Sequence, residues 1–423
     1  MRVLWLCNII LPSAAEELHL KASNKEGWLS GICDVVSKNQ DFELGVSFPV
    51  PQDKDGCSFD KEGINYFGFY EDTAHPEIYD ASLETRLKRI LDEFKPDMVH
   101  IFGTEYPHTL AMCRCMKDRP DKVLVGIQGI VAACAEHYCD GLPARVINRV
   151  TFRDFLRQDS IKKQRRKFEK RAANEAAALS LAGNVTGRTP FDLEFTAKSN
   201  HNAGYHFMNE TLRPEFYEGA WNIDTCEAHT VFLSQGNYPL KGLHTMLEAG
   251  GILKERYPDM KIIVAGDNIT AHSTLKEKIK LSSYGKYLLE LIKKYKLTET
   301  VSFIGNVDAN TMKAQLLKCS VFVCPSSVEN SPNSLGEAML LGVPSIASEV
   351  GGIPRLFKKD VDGLMFESGN YVALADSIDR LWSDGKLALS FSETASMHAH
   401  MTHNPELNYK RLLDIYREIT ECK

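Results

Sequence analysis

Two doubly wound α/β domains are predicted by three observations. At 423 residues the chain has room for two or three domains of roughly 150 residues each. Short apolar runs alternate with amphipathic segments, and a second series of the same kind follows an irregular stretch. Runs of Val, Ile and Leu without polar alternation fit parallel strands covered by helices on both faces. Hydrophobic residues make up 43% and charged residues 25%, enough to fill two such cores.

The first series predicts strands at "RVLWLCN" (2–8), "FELGVSF" (42–48), "MVHIFG" (98–103), "KVLVGIQG" (122–129) and "GNVTGRT" (183–189). The opening "MRVLWLCNIILP" has one Arg, a short apolar run and no small-residue cleavage site after it, so it reads as a buried strand rather than a signal peptide. "SLETRLKRILDEFK" (82–95) sets Leu83, Leu87, Ile90, Leu91 and Phe94 on one helical face. The second series predicts strands at 229–235, 261–267, 300–306, 319–325 and 343–349, and helices at 241–256, 274–295, 308–318 and 334–342. The stretch 201–228 is the expected crossing between domains, and 404–423 is a last amphipathic helix. The expected division is an N-terminal domain 1–205, a C-terminal domain 206–395, and a segment 396–423 returning to the N-terminal domain.

Several classes are excluded. A net charge of −6 argues against nucleic acid as partner. No apolar run approaches the roughly 20 residues of a membrane span. No G-x-G-x-x-G follows a strand, which argues against a nicotinamide enzyme. The cysteines number 11, an odd count, and Cys113 and Cys115 fit no common zinc spacing, so reduced thiols in the cytoplasm are expected. No metal site is expected.

Ligands of open parallel sheets bind beyond the carboxyl ends of the strands. Three post-strand loops stand out. In "SQGNYPLKGLHTMLEA" (234–249), Lys241 is expected to open a helix, a place that opposes the helix dipole unless an anion is present. In "FIGNVDANTM" (303–312), Asp308 is the expected N-cap, and backbone groups near Asn306 and Val307 suit a nucleobase. In "VENSPNSLGEAMLLG" (328–342), Ser334 and Glu337 have capping-box spacing; Glu337 either folds back on that cap or points out to two adjacent hydroxyls. Glu329 has no such structural reason.

These residues stand in a frame, "PSSVENSPNSLGEAMLLGVPSIA", with Glu329 and Glu337 as an E-x7-E pair, that resembles the donor site of family 4 retaining glycosyltransferases of the GT-B fold. "KGLHTMLEA", "VAGD", "VSFIGNV", "EVGGIPRLF" and "DGLMFE" match in the same order. The N-terminal "NKEGWLSGI", "MVHIFGTEYPH", "VGIQGIVAACAEHYCDGLP" and "GRTPFD" resemble its polysaccharide-assembly members more loosely. The resemblance implies two Rossmann-like domains facing across a cleft. It implies no cofactor beyond a nucleoside-diphosphate sugar, most often UDP-linked, as donor substrate. Lys241 would bind the diphosphate and Glu329 would sit beside the transferred sugar. Asn330, Ser331 and Pro332 would line the loop, Asn333, Ser334 and Leu335 would offer backbone amides, and Glu337 would clamp the ribose.

The chain departs from the family in two places. Gly236 stands where relatives carry a phosphate-binding Arg, leaving Gln235 or Asn237 as neutral donors. Gln128-Gly129 stands where many relatives carry a His, so Gln128 is expected to bind rather than transfer a proton. Arg188, in "GRTPFD", is a candidate replacement cation. The resulting expectation is a retaining, metal-independent hexosyltransferase acting on a glycan or lipid-linked glycan in polysaccharide synthesis. The alternatives are a GT-B nucleotide-sugar epimerase and a non-catalytic nucleotide-sugar-binding protein. Residues 157–171 carry eight Lys or Arg, which adds an expected peripheral contact with the inner face of the plasma membrane.

Overall fold

The computed structural model describes residues 1–21, 27–39 and 41–421. Residues 24–26 of the "NKEGWLSGI" motif therefore lie outside the described residues. One sheet is built from β1 (Arg2–Cys7), β2 (Glu43–Val50), β3 (Ser58–Lys61), β4 (Ile64–Tyr70), β5 (Met98–Phe102), β6 (Val123–Gly126), β7 (Asn184–Gly187) and β8 (Gly204–Phe207). Its order is β3-β4-β2-β1-β5-β6-β7-β8, parallel throughout except for the β3–β4 hairpin. Strand β1 is buried from Val3 to Cys7, as its unbroken apolar run predicts. The hairpin was not legible as such: β3 is a polar edge strand, and its two-residue turn, Glu62-Gly63, has φ of 57° and 78°. Both central residues are left-handed, as a twisted two-residue hairpin turn requires.

A second, all-parallel sheet is built from β9 (Glu227–Leu233), β10 (Lys261–Val264), β11 (Val301–Phe303), β12 (Cys319–Cys324), β13 (Ser345–Ser348) and β14 (Gly363–Phe366), in the order β11-β10-β9-β12-β13-β14. The expected helix 274–295 is two helices, Leu275–Lys280 and Ser283–Lys294. The break falls where Ser282 caps the second, its hydroxyl accepting from the Gly285 amide at 3.0 Å.

The chain forms two compact units, and no single cut near 205 separates them. The first holds 1–132, 167–213 and 403–423; the second holds 133–166 and 214–402. In the first, the Pro405–Glu421 helix buries Leu412, Ile415 and Tyr416, and the Tyr416 hydroxyl meets Trp5 Nε1 at 2.8 Å and His100 Nδ1 at 2.7 Å. In the second, segment 133–166 is held by polar contacts that its sequence does not advertise. Asp154, 1% exposed, accepts from the Ser283 amide at 2.9 Å, and Glu290 receives Arg145 at 2.7 Å and Arg149 at 2.8 Å. No described helix is long and apolar enough to cross a membrane.

Candidate functional site

The order of the second sheet reverses between β9 and β12, and open parallel sheets bind ligands at the carboxyl ends of strands at such a reversal. Lys241 lies in the loop after β9 and Glu329 in the loop after β12. After β9 the chain turns through Ser234 to Tyr238, makes one 3-10 turn at Pro239–Lys241, and passes through Gly242 at φ 68° into the Leu243–Arg256 helix. Lys241 therefore lies one residue before the N-cap Gly242 rather than inside the first turn of the helix. A Cβ at position 242 would lie 1.8 Å from the Pro325 carbonyl oxygen, so glycine is required both by the backbone angle and by the close approach. The Ser327 amide donates to the Leu240 carbonyl at 2.9 Å, joining the two loops backbone to backbone.

That junction brings Lys241 Nζ to 2.5 Å from Glu329 Oε1, which also accepts from Ser326 Oγ at 2.8 Å. The two side chains are 23% and 13% exposed. Burial by itself lowers the Lys241 pKa, but the Glu329 carboxylate and the Tyr238 hydroxyl act against it, and the net direction is upward. The ammonium is charged at any physiological pH. The Gly352 amide fixes the Glu329 carbonyl at 3.0 Å.

The Asn333–Leu340 helix begins after Pro332, with no side-chain cap. The expected capping box between Ser334 and Glu337 is absent, because Ser334 already lies inside the first turn. Its hydroxyl accepts instead from Ser234 Oγ at 2.9 Å, from the β9 loop. The amides of Leu335 and Gly336 are spent on the Pro332 carbonyl at 3.0 and 3.3 Å. Of the three amides expected to face a ligand, those of Asn333 and Ser334 remain where a helix offers an N–H no carbonyl of its own. Asn330 and Glu337 are 4% and 3% exposed, and Ser331 is half-buried. Two buried amide oxygens, Asn237 Oδ1 and Asn333 Oδ1, have no hydrogen-bond donor among the described residues.

At Gly236 a Cβ would sit 2.6 Å from Leu243 Cδ2 and 3.0 Å from Val264 Cγ1, so the space an Arg would use is occupied by core. At the neighbouring strand ends, Gly266 and Gly305 join through an amide-to-carbonyl bond of 2.8 Å, and Asn306 Nδ2 donates to Asp267 Oδ1 at 2.9 Å. Asn306 is exposed and Val307 half-buried beside it. Asp308 caps the Ala309–Lys318 helix as expected, accepting from the Thr311 amide at 2.7 Å.

Residues 219–398 match the family model for glycosyl transferases group 1. That span is less than half of the chain. A D-inositol 3-phosphate glycosyltransferase from Corynebacterium urealyticum is 28% identical over 180 residues, 43% of this chain and 41% of that protein. The chain thus spans less than half the length of the curated relatives it matches. Sucrose-phosphate synthase from Thermosynechococcus elongatus is similar in structure over 100% of both chains, with a TM-score of 0.75 at 13% identity. HepE of Anabaena, solved in complex with UDP-glucose, gives a TM-score of 0.66 at 15% identity over 99% of this chain and 100% of that one. At these identities the likeness fixes the fold, which is GT-B.

The first unit lies wholly outside the matched span, and its candidate residues sit in an internal network. Arg188 is 3% exposed; its guanidinium pairs with Glu210 and donates to the Ile127 carbonyl at 2.9 Å and to Gln128 Oε1 at 3.1 Å. Its charge is met inside the unit, and Gln128 is the side chain it orients. The Gly129 amide donates to Glu105 Oε1 at 3.1 Å. Sequence reasoning missed Glu105 and the chain behind it: Asn8 Nδ2 donates to Glu105 Oε2 at 3.1 Å, Asn8 Oδ1 faces His108 Nε2 at 3.0 Å, and His108 Nδ1 faces Glu71 Oε2 at 2.6 Å. The available signal was position, since Asn8, Glu71 and Glu105 follow β1, β4 and β5.

Glu175 was also missed. It is fully buried and accepts from Thr104 Oγ1 at 2.5 Å and from the Val131 and Ala132 amides at 3.0 and 2.9 Å. Burial pushes its pKa up to about 7, and these donors offset only part of that. A raised carboxyl pKa means that the folded state holds a proton the unfolded state has released. Glu175's contribution to stability therefore falls as pH rises from about 4.5 to about 7, by about 3 kcal/mol in total. Glu175→Gln is expected to flatten the pH dependence of the urea midpoint over that window; an unchanged slope would refute the assignment.

The basic run 157–171 spans the end of the Phe152–Arg157 helix and the first half of the Ile161–Leu181 helix. In its second half, Lys167 pairs with Glu77 at 2.9 Å and Arg171 donates to the Glu105 carbonyl at 3.1 Å.

Proposed function

We propose that the chain is a retaining, metal-independent glycosyltransferase. It moves a sugar from a nucleoside-diphosphate sugar, UDP-linked, to a glycan or lipid-linked glycan acceptor in cell-surface polysaccharide synthesis on the cytoplasmic side of the membrane. The observation that carries this reading is the Lys241–Glu329 pair at the β9/β12 reversal, inside the matched span. The UDP assignment is supported by the UDP-glucose complex of the HepE relative in fold. The polysaccharide assignment rests on the N-terminal motifs.

The chemistry follows from charge. As the bond between the anomeric carbon and the diphosphate breaks, negative charge gathers on the leaving phosphate. Lys241 and the first-turn amides of Asn333 and Ser334 are preorganised to receive it, and the Lys supplies charge that a divalent ion would otherwise carry. Binding the diphosphate draws the ammonium from Glu329 and frees that carboxylate to face sugar hydroxyls. The orphaned oxygens of Asn237 and Asn333 are acceptors for further donor hydroxyls. Glu337 accepts from the ribose, and the Asn306–Val307 backbone holds the base. The acceptor hydroxyl attacks the anomeric carbon on the face the diphosphate leaves, and its proton passes to the departing phosphate oxygen. Configuration is retained without a sugar–enzyme bond.

The test is turnover of a nucleotide-sugar panel with free nucleoside diphosphate monitored. Release that rises with a glycan acceptor, yields an α-linked product from an α-linked donor, and is unchanged by EDTA is the expected result. Donor epimerisation without release, or no turnover of any donor, would contradict the proposal.

A further inference from the structure

Part of the exposed apolar surface of the second unit is concentrated on two short helices. Phe152, Phe155 and Leu156 are 62%, 64% and 63% exposed, at positions i, i+3 and i+4 of the Phe152–Arg157 helix. That spacing makes one helical face, and such a face ordinarily turns toward a core. The Leu275–Lys280 helix packs against this helix and repeats the inversion, with Leu275 and Ile279 at i and i+4 both exposed. Val150, just before the first helix, is exposed as well. Two helices in contact with each other thus each present large apolar side chains to solvent.

This exposure is held in position. Thr151 and Asp154 form a capping box on the first helix, and Thr274 and Glu277 form one on the second. Buried Asp154 ties the first helix to Ser283. The charges nearby are mostly cationic. Arg157 ends the first helix, and Lys276, Lys278 and Lys280 are exposed on the second. The acidic groups on these elements are engaged: Asp154 on Ser283, Asp159 on Arg153 at 2.9 Å, and Glu277 on the Thr274 amide at 2.8 Å. Arg157 and Lys280 also line a cavity of about 510 Å³ that reaches Asn237 and Tyr238, in the turn leading to Lys241.

We propose that the Phe152–Arg157 and Leu275–Lys280 helices together form a docking surface for an anionic lipid bilayer. Phe and Leu side chains seat in the boundary between headgroups and acyl chains, while Lys and Arg meet the anionic headgroups. A chain of net charge −6 approaches a negative surface favourably only through a local positive face such as this one. The contact differs from one through the whole basic run, whose Lys167 and Arg171 are turned to internal partners. It does not depend on which sugar is moved.

The test is flotation of the full chain with vesicles of phosphatidylcholine, alone or mixed with phosphatidylglycerol. The wild type is expected to float with the mixed vesicles, less so in high salt, and not with phosphatidylcholine alone. The variant Phe155→Ser, Leu156→Ser, Ile279→Ser is expected to bind at least about tenfold more weakly, with its urea midpoint and donor turnover kept. Should that variant fail to fold, Lys276→Glu with Lys280→Glu, at exposed positions, takes its place and is expected to lose binding to the mixed vesicles. The proposal is overturned if the wild type does not bind mixed vesicles, or if the folded variant binds them as the wild type does. It is also overturned if the face instead mediates a dimer in solution that the serine variant dissolves.

Discussion

Lys241→Ala is expected to lower turnover of the nucleotide sugar by about a hundred- to a thousandfold, the scale on which one preorganised charge acts on a developing anion. Glu329→Ala is expected to have an effect of the same order, because it would remove both the proposed sugar contact and the carboxylate that holds the ammonium at 2.5 Å. The double variant is expected to lose little more than either single one, as residues that act as one unit do. Each single variant leaves a charge without its partner in a place 13% to 23% exposed. The stability cost is about 1–2 kcal/mol, below the cost of breaking a fully buried pair, because water reaches both groups. Cooperative urea unfolding checks that the fold survives, and steady-state kinetics on all three variants checks the rest. Full activity in both single variants would remove these residues from the site.

Gly242→Ala is the second large effect, and it is structural before it is catalytic. The new methyl would lie 1.8 Å from the Pro325 carbonyl oxygen, at a φ of 68° that alanine disfavours. The angle alone costs about 1–2 kcal/mol; the clash adds to it by forcing apart the loops that the Leu240–Ser327 bond joins. A loss of at least about 2 kcal/mol is expected, together with loss of nucleotide binding as Lys241 moves away from Glu329. Gly369→Ala is the control. It shares a positive φ of 79° but has nothing within 4 Å of the added methyl, so it costs about 1 kcal/mol and leaves turnover unchanged. Equal effects from the two substitutions would show that the close approach at Pro325 is not what holds the site.

Much of this architecture was legible in the residues. Strands such as β1 and β12 announce themselves because a strand buried on both faces needs no polar alternation. The Asp308 cap was legible because its chemistry is local. What failed was short, peripheral or long-range. Strand β8 lies at the edge of its sheet with no fully buried residue, so its string shows no apolar run. The break at Ser282 hides inside a run whose apolar spacing continues across it. The Ser334–Glu337 spacing mimicked a cap because nothing in the string shows that Pro332 already begins the helix. Segment 133–166 joins the second unit through pairs such as Asp154–Ser283 and Arg145–Glu290, which no local pattern displays. The Lys241–Glu329 pair is a contact across 88 positions of chain. Its two members were legible through the frame of motifs around them, but their meeting was not.

The most direct measurement is the shift in thermal unfolding midpoint on adding UDP or a UDP-sugar, for the wild type and for Lys241→Ala. A ligand that binds only the folded chain stabilises it by about 2.7 kcal/mol at a hundred times its Kd. A clear rise in the wild type that is lost in Lys241→Ala is the predicted result. No rise with any nucleoside diphosphate, or the same rise in both proteins, would contradict the placement of the donor site at the β9/β12 reversal.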